Sequence, residues 1–455
     1  MSDKTKKVRQ MALGAMMYFP AGEHISSWRH PEANAEGLMD LNYYKHIVQT
    51  AERGKFDMFF YADELYVWDR FDSGIEQSNS IRPEPFTLLS ALAAVTERIG
   101  LAATVSTTYN EPYHIARKLA TLDHLSGGRA GWNIVTSQTN EEARNFGKDE
   151  HLQHADRYGR AGEFVQVTQG LWDSWDDNAL LFDKEKGRFA DPDKLHTLNY
   201  QSEQFKVRGP LNVSRPPQGY PVLIQAGASE AGKELAAASA EVVFAPGSAF
   251  GPFGSVEDGK ALYDDIKGRM AKYGRSPDDL KILPGVLPII GRTEEEAKER
   301  LAIVEELTPE RLGLDLLSHY LGRDISNLPL DEPLPFVPQM DGFNQSKSNL
   351  ARILQLLERE PLTIRQLYKR VNSRGIAGTP VQIADQLEAW FLAGAADGFN
   401  VMFPQLPGGI DDFVDMVVPE LQRRGLFRQE YAGTTLREHL GLERPQSRYA
   451  KVQSY

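Results

Sequence analysis

IGLAATVS at 99–106, the helical pattern over 112–126 and AGWNIV at 130–135 together decide the fold. Two short apolar, β-rich runs joined by a helical stretch make one β–α–β unit, and hence a parallel strand pair. The same alternation runs outward in both directions. Upstream stand strand patterns at 11–18 (MALGAMMY) and 56–62 (FDMFFYA). Downstream come 221–226 (PVLIQA), 241–245 (EVVFA), 281–290 (KILPGVLPII) and 398–403 (GFNVMF), which brings the count to eight. Helical patterns at about 40–54, 84–97, 157–174, 228–239, 257–273, 293–305 and 409–424 fill the intervals. Eight strands, each followed by a helix, predict an α/β fold, a (β/α)8 TIM barrel. An open doubly wound sheet is the alternative with the same alternation.

Two stretches break the rhythm. Residues 175–220, with DKEKGRFADPDK and RGPLNVSRPPQG, read as an insertion after helix 4. Residues 306–397, before strand 8, hold the proline-rich NLPLDEPLPFVPQMDGFNQSKSN and helical patterns at 347–359 and 380–394. Long loops in a compact barrel tend to be functional covers. Residues 1–455 are thus expected to form one barrel domain with two insertions and a polar tail at 425–455.

Charge and composition exclude several classes. The formal charge of −12, from 63 acidic and 51 basic residues, argues against nucleic acid as the main partner. It leaves room for a local basic pocket. The absence of cysteine rules out disulfides, thiolate zinc sites, iron–sulfur clusters and a Cys nucleophile. The apolar stretch from Met11 to Pro20 is too short and interrupted for a secretory signal, and no run approaches the ~20 residues that cross a bilayer. A cytoplasmic protein with no membrane partner is expected.

Active sites of such barrels lie at the carboxyl ends of the strands. Strand two ends in Tyr61, Ala62, Asp63 and Glu64; strand three in Thr104, Ser106, Thr107, Thr108, Tyr109 and Asn110. Strand four leads to Asn133, Thr136 and Ser137, and strand five to Gln225, Ala226, Gly227 and Ser229. Neutral hydrogen-bonding groups dominate, which suits a planar, amide-rich heterocycle better than a metal. Taken singly, each Ser, Thr or Asn would serve equally as a helix cap. GASEAGKE, from Gly227, has the spacing of a phosphate-binding P-loop up to Lys233, but Glu234 stands where a magnesium-holding hydroxyl is needed. That excludes an NTPase. A Gly/Ser-rich strand-to-helix turn still offers backbone N–H groups to a phosphate, with Ser229 either as its ligand or as a plain N-cap. His151 and His154 have a chelating spacing without an evident third ligand, so no metal is assigned. No zinc-protease, α/β-hydrolase or dinucleotide fingerprint stands in a strand–helix context.

The strings YYKHIVQTAERGKFD, TTYNEPYHIARKLATLDHLSGGRAGWNIVTS, EARNFG, HADRYGRAGEF, FKVRGPLNV and AADGFN resemble the bacterial-luciferase-like flavin monooxygenase superfamily. The likeness spans roughly 9–445 and is narrower still to the branch of nitrilotriacetate, EDTA and dibenzothiophene-sulfone monooxygenases. DGKALYDDIKGRMAKYGRSPDDLKILPGV and LTIRQLYKRVNSRGIAGTP are most similar to the nitrilotriacetate type. The resemblance implies reduced FMN supplied by an NAD(P)H:flavin oxidoreductase, dioxygen as co-substrate, and a homo-oligomer, dimer or tetramer. It implies oxygenation of a small organic molecule, often with C–N or C–S cleavage. On matching positions, Asp63, Ser106 and Asn133 would line the flavin ring. Ser137, Tyr158, Ala226, Gly227 and Ser229 would hold its phosphate end. Trp28, Phe244, His319 and Tyr320 would border the substrate, and His24 is the candidate proton donor to the flavin–oxygen adduct. Arg29, Arg82 or His30 could meet a substrate carboxylate, and the 306–378 segment would act as a lid that keeps water out. The sulfone type has a histidine at the position of Tyr320, with His319 one place displaced, so the substrate stays open. Organosulfur or alkane oxygenation, a deazaflavin-dependent reductase of the same fold, and a non-catalytic flavin carrier remain as alternatives.

Overall fold

A computed structural model describes residues 9–227, 229–245, 254–338, 347–373 and 375–450. Ala228 of the GASEAGKE turn and residues 339–346 and 374 of the second predicted insertion lie outside the described residues. The barrel strands are β1 (Ala12–Met17), β2 (Met58–Tyr61), β3 (Gly100–Ser106) and β4 (Ala130–Val135), followed by β5 (Val222–Ala226), β6 (Val242–Ala245), β7 (Lys281–Val286) and β8 (Gly398–Val401). They close in sequence order, all parallel, with β1 bonded to both β2 and β8. The alternating side chains explain the layering. Leu13, Phe59, Leu101, Trp132, Leu223 and Phe399 point outward under the helices, whereas Met16, Met58, Phe60, Ala102, Ile224 and Met402 fill the barrel. Leu436, Leu440 and Leu442 of the tail join the interior set, so the chain plugs its own barrel at the amino end.

Gly398 closes the ring. It has φ +157°, and a Cβ there would lie 1.9 Å from the carbonyl oxygen of Ala12, inside the β1–β8 seam. Gly398→Ala is expected to cost about 3 kcal/mol or more, read as a fall in urea midpoint or as insoluble expression. A melting curve like that of the parent would contradict this closure.

The helices are α1 (Leu41–Arg53), α2 (Asp72–Gln77), α3 (Pro85–Ala93), α4 (Pro112–Leu125), α5 (Asn140–Asn145) and α6 (His154–Trp172). After them come α7 (Glu230–Ser239), α8 (Val256–Arg269), α9 (Glu294–Glu305), α10 (Glu310–Leu321), α11 (Lys347–Arg359), α12 (Ile364–Asn372) and α13 (Pro380–Leu392). A further helical run spans 408–423, and a short helix, Leu436–His439, follows in the tail. Starts follow capping chemistry: the Asp40 side chain accepts from Asn42 N–H, and Glu84 caps α3 ahead of Pro85. The first insertion folds into two hairpins, Leu180–Asp183 with Arg188–Ala190 and Tyr200–Gln201 with Lys206–Val207.

The second excursion has different limits from those read in the sequence. The apolar run 281–290 is two strands. Its end, Pro288–Ile290, leaves the barrel and pairs with Ile376–Gly378. α9 packs on that small pair, and α13 touches it too, but α13 also packs against α8, β8 and the helical run 408–423 as a ring helix. The excursion therefore runs from Pro288 to Gly378, because pairing partners, which hydropathy does not encode, decide where a strand ends. Within it α10, α11 and α12 bury Leu317, Leu321, Leu350, Ile353, Leu367 and Val371 in a core of their own. Among the described residues no helix is long and apolar enough to cross a membrane.

Candidate active site

Loops from the carboxyl ends of β1 and β2 and the cover helix α10 are stitched together above the barrel. Trp28 Nε1 and Ser26 Oγ both donate to the Gln77 carbonyl, at 3.0 and 2.9 Å. α10 is tied to α2 by Ser73 on Asp315, by Arg311 on Asp72 and Glu76, and by Leu312 N–H on Gln77 Oε1. His319 faces Arg70 at the rim, 2.9 Å away, and Arg70 also pairs with Glu141 of α5. Tyr320, next along the helix, turns the other way, into an aromatic cluster with Tyr18, Phe19 and Trp68.

His24 is buried in this cover. Its Nδ1 accepts the Ser26 N–H at 3.0 Å, so the ring proton sits on Nε2 and is donated to Thr308 Oγ1 at 3.0 Å. Burial first, and then the Arg29 guanidinium, holds its pKa down to about 3. The imidazole is a neutral tether between the first loop and the excursion, with both nitrogens engaged.

Asp63, just past β2, behaves differently. Burial raises its pKa to about 7; Arg82 and the Glu64 N–H pull the other way, and Glu84 and Glu64 add to the rise. A carboxyl poised near neutrality at a strand end is able to hold and transfer a proton at working pH, as structural charge networks also can. Beside it, Glu64 accepts from Tyr18 OH and from Trp68 Nε1, the latter at 2.9 Å.

On the β3–β5 side the rim is polar. Asn133 points into the barrel, donating to Thr104 Oγ1 at 2.9 Å while its own Oδ1 is buried with no partner. Asn400 of β8 lies in the same interior with both amide atoms unpaired. Buried polar atoms left without partners signal a missing ligand or water. Ser137 Oγ donates to Glu142 Oε1 at 2.9 Å and shares a second hydrogen bond of 2.9 Å with Ser106 Oγ, in which it accepts, and the residue holds φ +55°, a left-handed conformation uncommon for serine. Arg157 donates to the Ser137 carbonyl and lies 3.0 Å from His151 Nε2, yet its Nε is buried without a partner.

Ser229 caps α7, accepting the Gly232 N–H at 3.1 Å, and its hydroxyl lies 3.5 Å from Tyr158 OH. Gly227, at φ +150°, brings backbone close to the same phenol: a Cβ there would stand 3.3 Å from Tyr158 OH. The cap and ligand readings of Ser229 are compatible, because the hydroxyl accepts from the helix and can still donate outward. Lys233 faces α8, on Asp265 at 2.8 Å, and is turned away from any phosphate in the turn. Ala226 ends β5, and Phe244, near the carboxyl end of β6, packs on Phe60 across the barrel, 5.9 Å between rings.

The structure thus brings Ser106 to Ser137 and Tyr158 to Ser229, and sets Asn133 inside. Asp63 and Phe244 occupy other sectors of the rim. Trp28, 37% exposed, and His319 lie at its outer edge. Sequence reasoning weighed His154 only as a metal ligand, whereas its ring stands 4.8 Å from that of Tyr158, and it passed over Arg157 and Asn400. The four-residue spacing His154–Tyr158 at a helix start and one Asn within the apolar run GFNVMF were the available signals. A cleft of about 660 Å³ opens at the other end of the barrel, by Lys55, Arg98 and Tyr431, and contains none of these groups.

This closed parallel barrel, with its polar rim, matches the luciferase-like monooxygenase family over residues 21–397, and the chain belongs to that family. It is therefore a monooxygenase of the flavin-dependent kind. It is 51% identical to nitrilotriacetate monooxygenase component A of Aminobacter aminovorans, over 97% of this chain and 99% of that protein. It is 50% identical to N-acetyl-S-(2-succino)cysteine monooxygenase of Bacillus subtilis (strain 168), over 98% of this chain and all of that one. The crystal structure of a riboflavin lyase with modified FMN and its substrate riboflavin superposes with a TM-score of 0.82 at 30% identity, covering 96% of this chain and 97% of that one.

Proposed function

We propose that this chain is the oxygenase component of a two-component system. It uses reduced FMN, delivered by a separate NAD(P)H:flavin oxidoreductase, and dioxygen to oxygenate a small polycarboxylate, with cleavage of a C–N bond as in nitrilotriacetate. The observation that carries this reading is the near full-length likeness, at 50–51% identity, to two monooxygenases whose named substrates are both polycarboxylates. The second of them favours a specific rival: a thioether polycarboxylate, attacked at sulfur or its neighbouring carbon.

The residues present fit FMN. The unpaired Asn133 Oδ1 and the unpaired Asn400 amide offer the acceptors and donor that a flavin ring edge needs. Ser137, Tyr158, Ser229, the unpaired Arg157 Nε and the first turn of α7 offer an anion site. When bound, reduced FMN supplies the electrons that activate dioxygen. The protein orients and shields. Asp63 holds a proton at its carboxyl near neutral pH and can release it toward the reacting edge, while the tethered α10 cover, with His24, Trp28 and Tyr320, excludes water. The chain is expected to work as a homo-oligomer in the cytoplasm.

A reconstituted assay tests the function. The purified chain, a generic flavin reductase, FMN, NADH and dioxygen should consume nitrilotriacetate or N-acetyl-S-(2-succino)cysteine, and oxidised FMN alone should not. Failure to bind reduced FMN at micromolar concentration in an anaerobic titration would sink the reading. Turnover that persists without oxygen and prefers a deazaflavin would turn it into a reductase.

A further inference from the structure

One cation in this site lacks hydrogen-bond partners. Arg82 lies in the loop between α2 and α3, its side chain only 5% exposed. Its guanidinium carbon sits 5.1 Å from the Tyr18 ring and 5.5 Å from that of Phe19, so it lies at the barrel mouth, against the cluster that α10 covers. Nε, Nη1 and Nη2 are all buried and none has a hydrogen-bond partner. The nearest carboxylate, Glu64, stands off at 3.8 Å and is already engaged by Tyr18 OH and Trp68 Nε1. In the same loop Asn79 Nδ2 is also buried without an acceptor, while Asn79 N–H anchors the loop on Ile25 of that cluster.

Three guanidinium nitrogens at one point, buried and lacking hydrogen-bond acceptors, describe a place built for an acceptor that arrives later, and the same short loop carries a fourth unpaired donor in Asn79 Nδ2. A buried charge without partners is costly, and the planar fork of arginine matches a carboxylate in two parallel hydrogen bonds. The other cations considered for this duty are occupied. Arg29 donates to the carbonyls of Leu307 and Glu306, and His30 Nδ1 accepts the Glu32 N–H.

We propose that Arg82 is the specificity-determining residue of the substrate pocket, binding one carboxylate of the substrate as a bidentate pair, with Asn79 as an auxiliary donor. The proposal rests on the monooxygenase reading for the identity of the pocket and deepens it, because it fixes one end of the substrate as an anion. It predicts that neutral sulfones and alkanes are poor substrates here.

The test is calorimetric. The anaerobic protein, with and without reduced FMN, is titrated with nitrilotriacetate, free and as its magnesium complex, and with its trimethyl ester. Wild type should bind the acid and not the ester. Arg82→Met should weaken the acid by about 30-fold or more, the scale of a lost charge-assisted pair, and Arg82→Lys by less. Reduced FMN should bind all three proteins alike, which separates a local loss of carboxylate binding from a general loss of structure, because Arg82→Met also removes the cation that faces Glu64 at 3.8 Å. Equal binding of nitrilotriacetate by wild type and Arg82→Met would overturn the proposal, as would a wild type that binds the ester as well as the acid, or neither. Should Arg82→Met fail to fold, wild-type affinity in Arg82→Lys decides against it. Loss of flavin binding by wild type would strike the monooxygenase reading instead, and the nitrilotriacetate titration would still judge Arg82 by itself.

Discussion

Ser229→Asp should weaken the binding of reduced FMN by about 2–3 kcal/mol, roughly 30- to 150-fold in Kd, and leave riboflavin affinity unchanged. The substitution isolates charge from structure. Aspartate is as good an N-cap as serine, so α7 keeps its bond from the Gly232 N–H and the turn keeps its shape. What changes is a negative charge on the spot where Tyr158 and the first turn of α7 would meet the flavin phosphate. Like charges at a partly desolvated site repel strongly, and the favourable field of a helix N-terminus, ~0.3–1 kcal/mol, is too small to offset that repulsion. Riboflavin has no phosphate and serves as the internal control. Ser229→Ala should do the reverse, costing about 1 kcal/mol of stability through the lost cap and only a few-fold in FMN. An Asp variant with parental FMN affinity would move the phosphate elsewhere.

The barrel was legible because its signal is local. Strands such as IGLAATVS and AGWNIV show their burial in composition, and the observed β3 and β4 fall within a residue of those runs. The polar strand ends were legible for the same reason, since position at or just after the end of a strand is enough to place Ser106, Ser137 or Ser229 at the carboxyl end of the barrel. The second excursion was not. Whether 288–290 continues a barrel strand or leaves it depends on a partner at 376–378, eighty-odd residues away, and that pairing leaves no mark on hydropathy. The division of labour between His24 and Asp63 was equally hidden. A histidine in a loop looks like a proton donor until the Ser26 N–H and Thr308 are found on its two nitrogens. An aspartate after a strand looks ordinary until its burial beside Arg82, Glu64 and Glu84 is known. Arg157 and Asn400 belong to the same class, because what marks them is an unpaired atom in a buried place.

The largest effect is expected at Asp63, and in two opposite directions. Asp63→Asn keeps shape and polarity but cannot carry the proton, so oxygenation should fall by about 10²- to 10⁴-fold, the range that positioned acids contribute. Flavin affinity should change little. Stability should move the other way. The folded-state pKa is about 7, against 3.8 for the free carboxyl, with burial as the main cause. A raised carboxyl means that between pH 4 and 7 the folded chain holds a proton the unfolded chain has released, so stability drops as pH rises through that window. At pH 8 the ionised form is fully penalised, by up to about 4 kcal/mol at 1.36 kcal/mol per pKa unit. Asparagine removes that penalty, so Asp63→Asn should raise the Tm at pH 8 and not at pH 4. The wild-type rate should fall above pH 7 as the acid form is lost, and the variant's residual rate should lack that limb. A group that lowers stability where the enzyme works, and whose neutral replacement is sturdier but slow, is held there for chemistry. Were Asp63→Asn as active as wild type, or less stable than wild type at pH 8, Asp63 would be a structural carboxylate and the proton would have to come from elsewhere in the pocket.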